Sequence, residues 1–172
     1  MRTIFTADQI AERVETMAAD MTADLGANFT LVPILTGGFM FAADLARALH
    51  RSGADPEIDF IQLSSYGTGR ISSGEVQLVK DVSAPVEDLT VVVVDDVLDT
   101  GRSLHFAKEL FEARGALRVL TCVAVDKRKK TEGGLTADYR LFDISEDAFL
   151  VGYGMDDAGG QRGMPSIGAV ND

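Results

Sequence analysis

Acidic and hydroxyl side chains capable of chemistry cluster in one short stretch of the chain, residues 95–103. Asp95 and Asp96 follow four consecutive valines, and Asp99 precedes the turn Thr-Gly-Arg-Ser at residues 100–103. A Thr-Gly-x-Ser turn that enters a helix offers backbone N–H groups, two hydroxyls and a positive dipole end, which suit a phosphate. Carboxylates instead suit sugar hydroxyls or a divalent metal ion. The stretch therefore predicts a ligand with a phosphate, a diol and a magnesium ion, as in a phosphorylated ribose.

Each part of this stretch also has an ordinary structural interpretation, because Asp-Asp pairs are frequent in loops and Thr-Gly-x-Ser is a common turn. The combination at fixed spacing is much less common and favours a binding site. Receiver domains of phosphorelay proteins share the strand and the acid pair, but their acids lie near the start of the domain, with an acceptor Asp on a later strand. Here about half of the chain precedes Asp95, and no comparable acceptor follows.

A strand and a helix must hold these residues in place. Val91 to Val94 predict a strand that is buried on both faces. Residues 104–114, with apolar side chains on one face and Gly115 at the end, predict the helix that follows. Ligands of open parallel sheets bind outside the carboxyl ends of the strands, which is where this pattern puts the two acids.

Strands and helices alternate along the rest of the chain. The helix predicted over 6–25 begins with a capping-box pattern, Thr6 and Gln9, and a second helix is predicted over 39–50. Strands are predicted over 29–35, 58–63, 75–79, 117–125, 139–144, 149–153 and 166–170. The alternation predicts an α/β fold, in which helices flank a central, mostly parallel sheet through right-handed crossovers.

Three further segments are candidate parts of the site. Thr36-Gly37-Gly38 forms a tight turn where a ligand can approach the backbone, although an ordinary strand-helix turn is the simpler interpretation. Residues 64–74, S-S-Y-G-T-G-R-I-S-S-G, are either a hairpin tip or a lid that excludes water. Basic clusters are usually solvated, but Lys127 lies at the carboxyl end of a predicted strand, where the site is expected.

Length and composition indicate one globular domain. The chain has 172 residues, 46% of them hydrophobic and 25% charged, which is ordinary for a single soluble domain. The net charge of −11 argues against nucleic acid or an anionic membrane as the main partner. The sequence contains no run of about 18 apolar residues and no signal-peptide core, and its one cysteine, Cys122, lies in an apolar run. A cytoplasmic location is expected.

The motifs resemble those of a known family. The phosphoribosyl pyrophosphate motif of type I phosphoribosyltransferases is resembled by residues 91–104, V-V-V-V-D-D-V-L-D-T-G-R-S-L. L-T-G-G-F-M-F-A-A-D-L is similar to their pyrophosphate loop, and D-F-I-Q-L-S-S-Y-G-T-G with S-S-G-E-V to their lid. D-K-R and A-F-L-V-G-Y-G-M-D are similar to the purine pocket of the hypoxanthine-guanine branch. The resemblance runs nearly end to end and implies the type I phosphoribosyltransferase fold: one domain over 1–172, a flexible lid at 64–74, and a small hood built from the C-terminal part and the N-terminal segment.

The resemblance implies an activity in purine salvage. The 5-phosphoribosyl group of phosphoribosyl pyrophosphate would pass, with Mg²⁺, to hypoxanthine or guanine, giving IMP or GMP and pyrophosphate. A homodimer or homotetramer is implied as well. Two alternatives stay open: a non-catalytic nucleotide-binding regulator of the same fold, and a phosphoribosyltransferase for another base. The presence of Asp99 and Lys127 argues against a non-catalytic regulator, and that of Lys127 and Phe149 argues against a pyrimidine substrate. Xanthine stays open as a substrate, because it has the same 6-oxo group.

The family's roles carry over to matching positions of this chain. Asp99 would be the general base beside the purine imidazole ring. The ammonium of Lys127 would donate to the 6-oxygen, and because it only donates, it disfavours the 6-amino group of adenine. The ribose hydroxyls and the metal ion would be bound by Asp95 and Asp96, with Asp156 as a further metal residue, and the 5′-phosphate by Thr100, Gly101, Arg102 and Ser103. Pyrophosphate would be bound by Thr36, Gly37 and Arg162, and the purine would also contact Phe149 and Leu150. The lid would include Ser65 and Tyr66.

One position departs from the family pattern. The family commonly has a basic residue before the glycines of the pyrophosphate loop, where this chain has Thr36. The departure removes a cation from the side of the leaving group. Arg162, or Arg70 on the lid, is expected to compensate for it.

Overall fold

The computed structural model describes residues 1–65, 75–128 and 131–170. Most of the lid predicted at 64–74, including Tyr66 and Arg70, therefore lies outside the described residues. No helix among the described residues is long and apolar enough to cross a membrane. The described elements are β1 (Arg2–Phe5), α1 (Ala7–Leu25), β2 (Thr30–Leu35), α2 (Phe39–Ser52), β3 (Glu57–Ile58), β4 (Ile61–Ser65), β5 (Val76–Lys80), β6 (Thr90–Leu98), α3 (Arg102–Ala113), β7 (Arg118–Asp126), β8 (Tyr139–Asp143), β9 (Phe149–Val151) and β10 (Ile167–Val170), with a 3₁₀ turn at Glu132–Gly134.

The main sheet has the order β5-β4-β2-β6-β7-β8, and β3 also pairs with β2. All of these pairs are parallel except β4 with β5, which confirms the mostly parallel sheet. The carboxyl ends of β2, β4, β6 and β7 therefore meet at one edge of the sheet. The described residues of the predicted site that follow β2, β6 and β7 are brought together there.

Helices cover both faces of this sheet. Val92 and Val94 pack with α1 and α2 in one apolar cluster, whereas Val91 and Val93 pack with α3 in another. All four valines are fully buried, as a run without polar alternation predicts. The first helix begins with the predicted capping box: the Gln9 N–H donates to Thr6 Oγ1, and the Thr6 N–H donates to the Gln9 side chain.

A second, three-stranded antiparallel sheet, with the order β1-β10-β9, forms the small hood that the resemblance implied. Strand β1 was not predicted. Arg2 of β1 pairs with Ala169 of β10, so its partner strand lies near the other end of the chain. Four residues without a local hairpin partner carry little sequence signal for a strand.

The prediction of one strand over residues 58–63 was wrong, because β3 and β4 are separate strands with a break at Asp59 and Phe60. The Asp59 carboxylate ends the first strand by accepting hydrogen bonds from the backbone N–H groups of Phe60, Ser83 and Ala84, at 2.8, 2.6 and 3.3 Å. It thereby ties the connection between β5 and β6 to the sheet. Burial tends to raise the pKa of Asp59, but these amides and Lys80 more than offset it, and the pKa lies below its ordinary value.

We expect Asp59→Ala to lower the free energy of unfolding by about 0.5–1.5 kcal/mol at neutral pH, because the Phe60, Ser83 and Ala84 amides lose their acceptor, and only the Phe60 hydrogen bond is part-buried. The pKa of Asp59 is lower in the folded state than in the unfolded state. This stabilisation is therefore present above the unfolded value of about 4 and is lost as the pH falls through the folded value. Urea unfolding at about pH 7 and about pH 3 measures both effects.

Asp55→Ala is the matched control, since the Asp55 side chain is 89% exposed. An equal loss of stability in the two variants, or a loss in Asp59→Ala that does not shrink in acid, would contradict this role of Asp59.

Candidate functional site

A cleft of about 430 Å³ opens at the carboxyl ends of β2, β4 and β6. All seven site residues predicted from the 95–103 stretch line it. The other lining residues include Gly37 of the loop after β2, Ser65 at the end of β4, and Asp156 and Arg162 from the segment before β10. Its lining residues are Ile34, Leu35, Gly37, Leu63, Ser65, Asp95, Asp96, Val97, Asp99, Thr100, Gly101, Arg102, Ser103, Leu104, Asp156 and Arg162.

The acid pair lies inside β6, not after it. Asp95 pairs with Val123 of β7, and β6 continues to Leu98, so the expectation that the strand ends before the acids is corrected. Burial raises the pKa of Asp95 well above its ordinary value, and the neighbouring Asp96 carboxylate raises it further. Burial also raises the pKa of Asp96, against the lowering effects of its hydrogen bonds and of the Arg162 guanidinium. Such a pair favours a cation or hydroxyl donors as its ligand.

Two glycines let the loop after β2 lie against the acid pair. A Cβ on Gly37 would stand 2.3 Å from Oδ2 of Asp96, and one on Gly38 would stand 2.7 Å from the carbonyl oxygen of Val94. Only glycine fits at this distance without displacing a neighbour. Gly37 lines the cleft, whereas Thr36 is exposed and is not among the lining residues.

The turn at residues 99–103 leads directly into α3. Gly101 adopts a left-handed conformation, φ 81°, and α3 begins at Arg102 instead of at the predicted Leu104. The Arg102 N–H lies 3.4 Å from Thr100 Oγ1, and Gly101 at the N-cap has no side chain that could cap the first turn. Backbone N–H groups and the positive dipole end therefore face the cleft, an arrangement that binds anions.

Asp99 and Lys127 form an ion pair, with Lys127 Nζ 3.0 Å from Asp99 Oδ2. The Lys127 side chain is only 9% exposed, whereas that of Asp99 is 40% exposed. The Lys127 N–H donates to the Leu98 carbonyl, which holds the ends of β6 and β7 together. Both residues were predicted from the sequence to have separate roles, but their contact with each other was not predicted. A proton acceptor and a hydrogen-bond donor thus meet beside the anion-binding turn.

Asp156 and Arg162 reach the cleft from the segment between β9 and β10. Arg162 Nη2 lies 2.8 Å from Asp156 Oδ1, and Arg162 Nη1 donates to the Gly154 carbonyl. Arg162 also lowers the pKa of Asp96 through its charge. The structure thus brings both residues to the acid pair, as their predicted roles require, but with the guanidinium engaged by Asp156.

Magnesium is compatible with this donor set. The described residues contain no group of three or more His, Cys, Asp or Glu side chains that could hold a metal ion on their own, so Asp95, Asp96 and Asp156 do not form a complete cage. Mg²⁺ sites are commonly built from one or two carboxylates, water and the phosphate oxygens of a substrate. Asp95 and Asp96 could hold a metal ion in that way, completed by a phosphorylated ligand.

The predicted base-stacking residues lie in the hood. Phe149 begins β9 and is 51% exposed, and Leu150 is buried and pairs with Ala169 of β10. Neither residue lines the cleft. Ser65, at the end of β4, does line it.

Comparison with known proteins gives matches over nearly the whole length of the chain. A phosphoribosyl transferase domain model matches residues 2–158. The hypoxanthine-guanine phosphoribosyltransferase of Bacillus subtilis is 32% identical over 98% of this chain and 92% of its own length. The bifunctional protein TilS/HprT of Listeria innocua is 35% identical over 98% of this chain, which spans only 26% of that protein. A crystal structure of a hypoxanthine-guanine phosphoribosyltransferase from Bacillus anthracis superposes with a TM-score of 0.89, at 35% identity and 99% coverage of both chains.

Proposed function

The chain belongs to the phosphoribosyl transferase family, and we propose that it is a hypoxanthine-guanine phosphoribosyltransferase of purine salvage. It transfers the 5-phosphoribosyl group of phosphoribosyl pyrophosphate to hypoxanthine or guanine, giving IMP or GMP and pyrophosphate. The observation that carries the proposal is the Asp99–Lys127 pair: Asp99 lines the same cleft as the anion-binding turn and the acid pair, and Lys127 binds Asp99.

The sugar phosphate binds at the turn and the strand end. The 5′-phosphate accepts hydrogen bonds from the N–H groups at the start of α3 and from the hydroxyls of Thr100 and Ser103. The ribose hydroxyls donate to Asp95 and Asp96, which would also hold Mg²⁺, with Asp156 as a further metal residue. Bound Mg²⁺ would neutralise the charge of the departing pyrophosphate. Local amides and cations thereby overcome the repulsion expected from a chain of net charge −11.

The purine binds at the ion pair. Transfer at the anomeric carbon passes through a cationic, oxocarbenium-like state, and the purine nitrogen attacks better as Asp99 takes its ring proton. Lys127 donates to the 6-oxygen. The two side chains bind each other at 3.0 Å. An incoming purine therefore replaces this ion pair with two hydrogen bonds along its edge, one to Asp99 and one from Lys127. Adenine would present its 6-amino donor to the ammonium, so it is disfavoured.

The remaining contacts are proposed from the family resemblance. Arg162, with the backbone at Thr36 and Gly37, binds pyrophosphate in place of the missing basic residue. Phe149 stacks on the purine, and the Leu150 backbone contacts the edge of its ring. Ser65, which lines the cleft, and Tyr66, which lies outside the described residues, are assigned to the lid by the resemblance. We also propose a cytoplasmic homodimer or homotetramer with no nucleic-acid or membrane partner.

Gly37→Ala is expected to raise the KM for phosphoribosyl pyrophosphate about tenfold or more, while thermal stability changes little. The added methyl group meets the end of a flexible side chain, Asp96 Oδ2 at 2.3 Å, so the carboxylate moves and the fold survives. The displacement costs the hydrogen bonds of Asp96 to the ribose, a loss of about 1.5–3 kcal/mol for bonds to a charged group. Steady-state kinetics measure the effect.

Gly163→Ala is the control for this substitution, since no heavy atom beyond Gly163 and its two neighbours in the chain lies within 4 Å of the position where its Cβ would be. An unchanged KM in Gly37→Ala would show that Asp96 does not contact the ribose.

Product stoichiometry tests the proposed function. Purified protein, Mg²⁺, phosphoribosyl pyrophosphate and hypoxanthine are expected to give one pyrophosphate for each IMP, and a chelator should stop the reaction. Pyrophosphate released without IMP would indicate hydrolysis and contradict the proposed transfer.

A further inference from the structure

The turn after β9 is fixed to helix α2 by a buried tyrosine. Tyr153 is only 5% exposed and adopts a left-handed backbone conformation, φ 51°, that non-glycine residues rarely adopt. Its hydroxyl donates to Asp44 Oδ2 at 3.0 Å, and its ring lies 6.2 Å from that of Phe41. Asp44 and Phe41 both belong to α2. The hood is therefore joined to the helix that follows the pyrophosphate loop.

The next residue in this turn touches the pyrophosphate loop itself. A Cβ on Gly154 would stand 2.1 Å from the carbonyl oxygen of Gly37, so the two backbones are in direct contact. Gly154 also exchanges hydrogen bonds with Arg162: its N–H donates to the Arg162 carbonyl, and its carbonyl accepts from the Arg162 guanidinium. One short turn thus contacts both of the residues, Gly37 and Arg162, to which we assign pyrophosphate binding.

We propose that Tyr153 and Asp44 are positioning residues that fix the hood turn against α2 and so set the placement of Gly37 and Arg162 for the pyrophosphate group of the substrate. This inference rests on the proposed function. Neither residue is among those that line the cleft with the acid pair and Asp99, and the Lys127 N–H donates to the Leu98 carbonyl of the main sheet. Loosening the turn should therefore weaken binding of phosphoribosyl pyrophosphate while leaving purine binding in place.

Burial supports the strength of this contact. The hydrogen bond between the Tyr153 hydroxyl and the Asp44 carboxylate is part-buried, and hydrogen bonds to a charged group are stronger than neutral ones. Burial, followed by the Asp44 charge, raises the pKa of the Tyr153 phenol, so the hydroxyl stays a donor throughout the range in which such enzymes are assayed.

Tyr153→Phe tests the inference, because it removes the hydroxyl and keeps the ring. We expect the KM for phosphoribosyl pyrophosphate to rise about 3- to 10-fold, the size of one hydrogen bond, with the KM for hypoxanthine unchanged within about twofold. The chain contains a matched control. Tyr139 also donates its hydroxyl to an aspartate, Asp24 Oδ2 at 3.1 Å, but on another part of the molecule, and Tyr139→Phe should leave both constants unchanged.

A double-mutant cycle separates positioning from a general loss of stability. Asp44→Ala should raise the same KM, and Tyr153→Phe with Asp44→Ala should raise it no further than the larger single effect, because both changes break one interaction. The contact of Asp44 with Arg47 is lost in both variants that carry Asp44→Ala, so its effect cancels when the coupling between Tyr153 and Asp44 is calculated. Additive effects, or equal rises in the two KM values, would overturn the inference.

Hydrogen exchange gives a readout that does not depend on activity. Amides of residues 36–42 should exchange faster in Tyr153→Phe than in wild-type protein or in Tyr139→Phe. Unchanged exchange in that segment would overturn the positioning role. A wild-type protein that forms no IMP would overturn the proposed function, and the exchange result would still decide whether the contact orders the loop.

Discussion

We expect Asp99→Asn to lower the turnover number for hypoxanthine by roughly 10²- to 10⁴-fold, the usual size of a general-base contribution. The amide has nearly the same shape as the carboxylate and its oxygen still accepts from Lys127, but it cannot take the ring proton of the purine. Because the Asp99 side chain is 40% exposed, the substitution should leave the fold intact. Turnover at saturating concentrations of both substrates, with thermal unfolding measured in parallel, gives the result.

Asp143→Asn is the control for this prediction. Asp143 also forms ion pairs, with Arg128 and Arg140, but at the end of β8 and outside the cleft. Near-normal turnover in Asp99→Asn would remove Asp99 as the base, and an equal loss in Asp143→Asn would indicate a general effect of charge.

The second large effect is expected for Lys127→Ala. The kcat/KM for hypoxanthine should fall about 10- to 100-fold, because the 6-oxygen loses a hydrogen bond from a charged donor, worth about 1.5–3 kcal/mol. The KM for phosphoribosyl pyrophosphate should change by no more than about threefold, since the turn at residues 100–103 and the acid pair keep their own hydrogen bonds. Steady-state kinetics with each substrate varied in turn measure the two effects, on kcat/KM for hypoxanthine and on the KM for phosphoribosyl pyrophosphate.

Arg128→Ala provides the matched comparison. Arg128 is the next residue, carries the same charge and has a 45% exposed side chain paired with Asp143, so its loss should affect neither constant. Equal losses for purine and phosphoribosyl pyrophosphate in Lys127→Ala would mean that Lys127 supports the structure of the site and does not read the base.

Local signals made parts of the fold predictable. The capping box of α1 and its helical apolar face involve residues close in sequence, and the run from Val91 to Val94 identifies a doubly buried strand without knowledge of its neighbours. The end of β6 was misplaced because Asp95 and Asp96 resemble loop residues. Pairing with β7, down to Leu98 against Asp126, overrides that preference.

Long-range contacts explain what was missed. Strand β1 depends on β10, and the break at Asp59 depends on amides of Ser83 and Ala84 in a distant connection. The ion pair of Asp99 with Lys127 depends on the register of β6 and β7. The strained backbone of Tyr153 carries no sequence signal beyond the flanking glycines of G-Y-G. Site residues that are adjacent in the sequence, such as those at 95–103, could be predicted together and line one cleft, whereas contacts between separate motifs could not be predicted.

A base panel tests the central claim, that Asp99 and Lys127 form a purine site beside a phosphoribosyl pyrophosphate site. Purified protein, Mg²⁺ and phosphoribosyl pyrophosphate are mixed separately with hypoxanthine, guanine, xanthine, adenine and uracil, and nucleotide formation is measured. We predict nucleotide from hypoxanthine and guanine and none from adenine or uracil. Product from adenine would contradict the role of Lys127, and no product from any base, with nucleotide still bound, would contradict the enzyme assignment and favour a regulatory protein of the same fold.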